Sequence, residues 1–215
     1  MLKLSYKEDT KIECGVDEAG RGCLWGPLYS AAVVLPAKTD WDQEFEAIVP
    51  QIKDSKKISK KKREKIYELI LKHAKNVGIG IVTSQEIDSM GMTKANKTAF
   101  ERAISNLSVE VDRILIDGCL HIETPKELIV EPNLDNIYLS VAAASIIAKV
   151  SRDKYVEEYV SKDVSLQEKY DLMNNKGYGT LKHRQGIIKY SKHTLHRNLF
   201  LRKLLGSNCN IIDDE

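Results

Sequence analysis

Apolar residues recur along the chain at two spacings, one that fits strands and one that fits helices. From Lys11 to Ala19, Ile12, Cys14 and Val16 alternate with neighbours of other character, and Leu28 to Leu35 (LYSAAVVL) is a β-rich apolar run bounded by Pro27 and Pro36. Two opening strands are predicted, with Gly20-Arg21-Gly22 between them as a tight turn open to close backbone approach by a ligand. Between Ser59 and Asn76, Ile66, Leu69, Ile70 and His73-Ala74 recur at helical spacing, which predicts an amphipathic helix with a strongly basic first turn. Val77 to Thr83 (VGIGIVT) alternates in strand fashion, and Thr93 to Leu107 reads as a helix with Ala95, Ala99, Ala103 and Leu107 on one face. Arg113 to Asp117 is a buried strand stopped by Gly118, and Glu127 to Val130 is a shorter one. A helix is predicted from Tyr138 to about Val160, where Ala142-Ala143-Ala144-Ser145 supplies small side chains for close packing on a sheet. The remainder reads as helical and basic, beyond a loop at Asn174 to Thr180 (NNKGYGT).

Strands that alternate with helices after an opening hairpin predict an α/β layer, with a mixed sheet and helices on its faces. There is no internal repeat, low-complexity tract or long Pro/Gly/Ser linker, so one main core is expected, with a subdomain boundary at the 174–180 loop. In such sheets, strand ends and the loops beyond them hold the chemistry.

Composition narrows the classes. The chain has 215 residues, 42% of them hydrophobic and 30% charged, which excludes a disordered polymer. A net charge of only +2 means that any nucleic-acid affinity comes from local patches. Cys14, Cys23, Cys119 and Cys209 show neither zinc-site spacing nor a disulfide framework, and the expected setting is intracellular and reducing, with cytoplasmic localisation. The N-terminus lacks the pattern of a secretory signal, and no apolar run approaches the roughly 20 residues that cross a bilayer. The tail from Asn208 to Glu215 is acidic and is expected to fray.

Four acids stand where strands end or a helix begins. Asp17 and Glu18 are adjacent at the end of the first strand, where a regular pleat sends them to opposite faces, so their convergence on one site requires a backbone distortion. Asp117 ends the apolar run Ile114-Leu115-Ile116, and Asp135 lies just ahead of the alanine-rich helix. Each has a plain alternative: a surface acidic pair, an Asx-type turn, and a helix N-terminal carboxylate. Together they match the oxygen donors that a hard cation such as Mg²⁺ requires. Two such ions about 3.5–4 Å apart support phosphodiester hydrolysis.

Basic and aromatic residues suggest the substrate. Lys56, Lys57, Lys60, Lys61, Lys62, Arg63 and Lys65 crowd the start of one helix, against the sign its dipole favours, and an anion or simple solvation would account for them. Arg21, in its glycine turn, offers a guanidinium and backbone N–H groups to a phosphate or sugar. Tyr178, between Gly177 and Gly179, is placed on a flexible loop and suited to stacking.

The string Gly15-Val16-Asp17-Glu18-Ala19-Gly20-Arg21-Gly22, followed by Gly26-Pro27, resembles the opening signature of the ribonuclease HII family. Asp54-Ser55-Lys56-Lys57-Ile58-Ser59, Leu115-Ile116-Asp117-Gly118, the helix from Ala142 to Asp153, Lys176-Gly177-Tyr178-Gly179-Thr180 with His183, and His196-Arg197 continue the likeness in order along nearly the whole chain. The resemblance implies a ribonuclease H-like catalytic domain over 1–172 and a C-terminal helical substrate-binding region over 173–215. It implies an endonuclease that cuts the RNA strand of RNA–DNA hybrids and acts at ribonucleotides embedded in duplex DNA, leaving 5′-phosphate and 3′-hydroxyl ends, with roles in primer removal and ribonucleotide excision. Asp17, Glu18, Asp117 and Asp135 would be catalytic and bind two Mg²⁺ or Mn²⁺ ions. Gly20, Arg21 and Gly22 would grip the nucleotide bearing the 2′-hydroxyl, the group that distinguishes RNA from DNA. Tyr178 would stack on the following deoxyribose, and Ser55, Lys56 and Lys57 would hold phosphates. A monomer is expected.

Departures from the family pattern are local. Cys23 and Trp25 replace a usual proline and small residue, and the segment ahead of Asp135 differs, which leaves Asp153 as a rival fourth acid, although an ion pair with Arg152 or Lys149 is its expected role. His183 and His196 are candidate nucleic-acid contacts, while His73, His121 and His193 are assigned to structure or surface. Ribonuclease HIII, a junction resolvase and a non-catalytic binding module are the rival readings. The early acid pair and Arg21 argue against the first, the glycine elements against the second, and the full set of acids against the third.

Overall fold

The computed structural model describes residues 2–206. Cys209 and the acidic tail lie outside the described residues. The elements, in chain order, are β1 (Glu13–Ala19), β2 (Leu28–Val34), α1 (Gln43–Ile48), α2 (Lys60–His73), β3 (Asn76–Val82), α3 (Ser84–Met90), α4 (Met92–Ser105), β4 (Arg113–Asp117), β5 (Glu127–Glu131), α5 (Leu139–Lys162), α6 (Ser165–Tyr170), α7 (Leu172–Asn175), α8 (Leu181–Tyr190) and α9 (Asn198–Leu205). Short 3-10 turns at Ser55–Lys57 and Leu134–Asn136 lead into α2 and α5.

The five strands form one mixed sheet in the order β3-β2-β1-β4-β5. β1 to β3 are antiparallel neighbours, while β4 and β5 run parallel to β1. The predicted mixed sheet with helices on both faces is therefore observed. On one face, Ala31 and Val33 pack against α5 and α2 through Ala142, Ala143, Ile146, Ile66 and Ile70. On the other, Cys14, Val16, Ala32 and Val34 pack against Phe100 and Ala103 of α4. The alanine-rich stretch works as its composition implied: Gly15 of β1 lies so close to α5 that an added Cβ would strike the Ser140–Val141 backbone.

A third cluster, around Trp25, Val156, Val160, Leu166, Tyr170 and Ile187, joins the C-terminal helices to the distal half of α5. The segment beyond 173 thus shares its core with the long helix. Two short helices escape the apolar pattern, α1 and α3. Of these, α3 begins with a full capping box, in which Thr83 accepts from Glu86 N while Glu86 accepts from Thr83 N.

Candidate active site

Val16 is in register with Ile116 on the adjacent parallel strand, so Asp17 and Asp117 leave the sheet side by side. Asp135 arrives from the 3-10 turn ahead of α5. One carboxylate oxygen from each of Asp17, Asp117 and Asp135 lies within 4.8 Å of the others. Asp17 and Asp135 are only 8% and 5% exposed, so two of the three charges are withdrawn from water.

Electrostatics reflect the crowding. Burial first, then the charges of Glu18, Asp117 and Asp135, push the Asp17 carboxyl well above the ordinary carboxylate range, against a single opposing hydrogen bond from Glu18 N. Burial, then Asp117 and Asp54, raises Asp135, with Lys56 pulling the other way. A cluster of hard oxygen donors that repel one another is relieved by a divalent cation, so the residues present fit a hard divalent metal ion. Asp117 is not the Asx turn of the plain alternative. Its Oδ1 accepts from Leu134 N, 17 residues ahead.

Glu18 departs from the expected convergence. The β1–β2 register runs unbroken through Asp17, Glu18 and Ala19, so no bulge turns the side chain toward its neighbour. Glu18 shares the α4 face with Cys14 and Val16 and is not among the three acids that meet. It still senses the cluster: burial and Asp117 raise its pKa, while Arg21, Asn96 and Lys56 draw it down.

The Gly20-Arg21-Gly22 turn is held from beneath by two buried arginines. Arg197 donates to the carbonyls of Gly20 (2.7 Å), Arg21 (3.1 Å) and Gly26 (2.8 Å). Arg152 donates to those of Pro27 (2.9 Å), Trp25 (3.0 Å) and Lys176 (2.8 Å), tying the turn to the Tyr178 loop. Gly20 has φ +91° and its missing Cβ would collide with the Arg152 side chain, so both backbone and space demand glycine. Arg21 itself is exposed, and open space surrounds the Cβ position of Gly22. Sequence reasoning assigned neither buried arginine to this work. Of the two partners expected for Asp153, it is Lys149 that pairs with it, at 2.9 Å, joined by Arg63 at 3.8 Å, and Asp153 is 8% exposed and outside the acid cluster.

Tyr178 is 38% exposed, with Lys149 and Arg152 over its ring. Its loop is pinned, because Gly177 O accepts from Leu24 N at 2.8 Å and from Trp25 N at 3.3 Å. The departures Cys23 and Trp25 are both buried here, and Trp25 Nε1 reaches His193 Nδ1 at 3.1 Å. His183 and His196 are not surface contacts. They are buried, with Nε2 atoms 3.0 Å apart, because the loop ahead of α9 folds over α8.

In the basic segment, Lys56, Lys57, Lys61, Lys62 and Lys65 are exposed. Lys60 is taken by Glu157 at 2.5 Å. Arg63 donates to the carbonyls of Ser55 (2.9 Å) and Ile58 (2.8 Å), so it shapes the turn. Ser55 is buried and accepts from Ser145 Oγ at 2.8 Å.

Comparison with known proteins agrees with this geometry. The model of the family described as Ribonuclease HII matches residues 14–203. The ribonuclease HII of Caldanaerobacter subterraneus is 38% identical over 203 residues, covering 94% of this chain and 79% of that one. The enzyme of Syntrophus aciditrophicus is 39% identical over 198 residues, covering 91% and 87%. The crystal structure of ribonuclease H2 from Pyrococcus horikoshii superimposes with a TM-score of 0.68 at 26% identity, over 89% of this chain and 96% of that one. A ribonuclease HIII structure in complex with Mn²⁺ shares the fold, with a TM-score of 0.63 at 21% identity, over 93% of this chain and 71% of that one. The chain belongs to the ribonuclease HII family.

Proposed function

We propose that this protein is a divalent-metal-dependent endonuclease that hydrolyses the RNA strand of RNA–DNA hybrids and also cuts at single ribonucleotides embedded in duplex DNA. Such an activity serves primer removal and ribonucleotide excision. The observation that carries the reading is the meeting of Asp17, Asp117 and Asp135, three acids from three separate elements, on one set of oxygens. These carboxylates would hold Mg²⁺ or Mn²⁺, two ions during catalysis, with Glu18 contributing from the opposite face of the sheet at the end of the same strand. When bound, the ions supply Lewis-acid polarisation of the scissile phosphodiester.

Everything else falls to the chain. The arginine-braced turn offers the Gly20, Arg21 and Gly22 backbone to the ribose 2′-hydroxyl, a donor and acceptor that DNA lacks. The turn is rigid before substrate arrives, so little ordering entropy opposes recognition. Tyr178, fixed to that turn through Gly177 and Arg152, stacks on the next deoxyribose. Ser55, Lys56 and Lys57 hold the phosphates that set the strand's path past the acids. The ends produced are a 5′-phosphate and a 3′-hydroxyl. No helix of the described residues is long and apolar enough to cross a membrane.

The test is cleavage of a duplex with one embedded ribonucleotide beside a long hybrid, under Mg²⁺ and Mn²⁺ in turn, with Asp17→Asn as control. Metal-dependent cuts on the 5′ side of the ribonucleotide-to-DNA junction, absent from the variant, are expected. Equal cleavage of an all-DNA duplex, or product without divalent ions, contradicts the reading.

A further inference from the structure

Next to Asp135, the exposed side chain of Asn136 makes two contacts that belong to different parts of the site. Its Nδ2 donates to Asp135 Oδ1 at 2.7 Å. Its Oδ1 accepts from Lys57 Nζ, which comes from the turn ahead of α2. One amide therefore stands between a carboxylate of the acid cluster and an ammonium of the phosphate-holding turn, two groups 78 positions apart in sequence.

We propose that Asn136 is a positioning residue that orients Asp135 for the cation and couples that carboxylate to Lys57. The inference rests on the reading of the acid cluster as a metal site. Asp135 sits on a single 3-10 turn, where a side chain has several rotamers within reach. Committing Oδ1 to the Asn136 amide selects one of them and leaves Oδ2 for the cation. The ammonium on the amide oxygen polarises the N–H toward Asp135, so the two hydrogen bonds strengthen each other. Only an amide does both jobs. A carboxylate at 136 would accept from Lys57 and repel Asp135, and an alanine would do neither. Because Asn136 is exposed and caps no helix, its removal leaves the core intact.

The coupling is read without turnover by titrating Mn²⁺ into the metal-free protein and following free Mn²⁺ by electron paramagnetic resonance. Wild type, Asp17→Asn, Asn136→Ala, Lys57→Ala and the Asn136→Ala/Lys57→Ala double variant are compared, with thermal melts to confirm folding. Asn136→Ala is expected to weaken Mn²⁺ binding about tenfold, as loss of a supporting hydrogen bond to a metal ligand does elsewhere. Lys57→Ala removes a charge that repels Mn²⁺ in either background, so the coupling is read as a difference: relative to its parent, the Lys57→Ala affinity should be about two- to threefold lower in the wild-type background than in the Asn136→Ala background. Mn²⁺ affinity unchanged by Asn136→Ala, while Asp17→Asn abolishes it, overturns the role of Asn136. Equal effects of Lys57→Ala in both backgrounds overturn the coupling. Binding unaffected by Asp17→Asn instead overturns the metal site itself, a distinct failure.

Discussion

Asp117 Oδ1 accepts the backbone N–H of Leu134 at 2.8 Å, so one acid of the cluster fastens the turn that delivers the next. Asn133, at φ 66°, opens that turn in the left-handed region, and Leu134 anchors it in the core. The carboxylate thus has a structural and a chemical duty, and two substitutions separate them. Asp117→Asn keeps an acceptor for Leu134 N and is expected to leave stability within about 0.5 kcal/mol while removing activity. Asp117→Ala loses both and should cost a further 1–2 kcal/mol or so. Urea denaturation beside a cleavage assay distinguishes the pair.

The acids oppose the fold that carries them. Asp17 binds its proton more tightly folded than unfolded, so the native state holds more protons across the window from the ordinary carboxylate range up to its raised pKa, and metal-free stability falls as pH rises through that window. Asp17→Asn should therefore raise the melting temperature of the metal-free protein at neutral pH. It should also abolish the stabilisation that Mg²⁺ gives the wild type, and reduce kcat by at least about a hundredfold. Differential scanning calorimetry with and without Mg²⁺ checks this.

Much of the frame was legible from periodicity alone. The five strands and the helices that became α2, α4 and α5 follow apolar spacings that local sequence carries. Glu18 shows the limit: alternation placed it opposite Asp17, and the unbroken register kept it there, so only a departure from strand geometry would have brought the pair together. Arg152 and Arg197 were invisible for another reason. Apart from Lys176 O, their acceptors are carbonyls of residues 20–27, more than a hundred positions away, and no local pattern marks an arginine that will be buried by loop backbone. His183 and His196, candidate nucleic-acid contacts in the sequence, are buried for a similarly non-local reason, because the loop ahead of α9 closes over α8. The capping box of α3, by contrast, was readable in Thr83 and Glu86 and simply lacked an apolar stripe to draw attention to it.

That histidine pair gives the protein an acid-sensitive joint. Burial, then His183, depresses the His196 pKa to about 3, and burial lowers His183 as well. The unfolded chain takes up these protons below about pH 6.5 while the folded chain refuses them, so the stability present above that pH is lost as pH falls toward 3. At pH 5 the loss from His196 alone is about 2 kcal/mol. Urea midpoints at pH 7.5 and 5 should fall more steeply for wild type than for His196→Gln.

For Tyr178, ring and hydroxyl separate cleanly. Tyr178→Ala removes a stacking surface worth about 1–3 kcal/mol and should lower kcat/KM at an embedded ribonucleotide at least tenfold. Tyr178→Phe keeps the ring and should stay within about threefold of wild type. Steady-state kinetics on one junction duplex compares them.

Diffraction from crystals soaked in Mn²⁺, with anomalous data collected near the manganese edge, locates the ion among the carboxylates. A peak within coordination distance of one oxygen each of Asp17, Asp117 and Asp135 is expected. A protein that cleaves hybrids with Mn²⁺ while its anomalous peaks lie away from these three carboxylates would rule out the three-acid metal site.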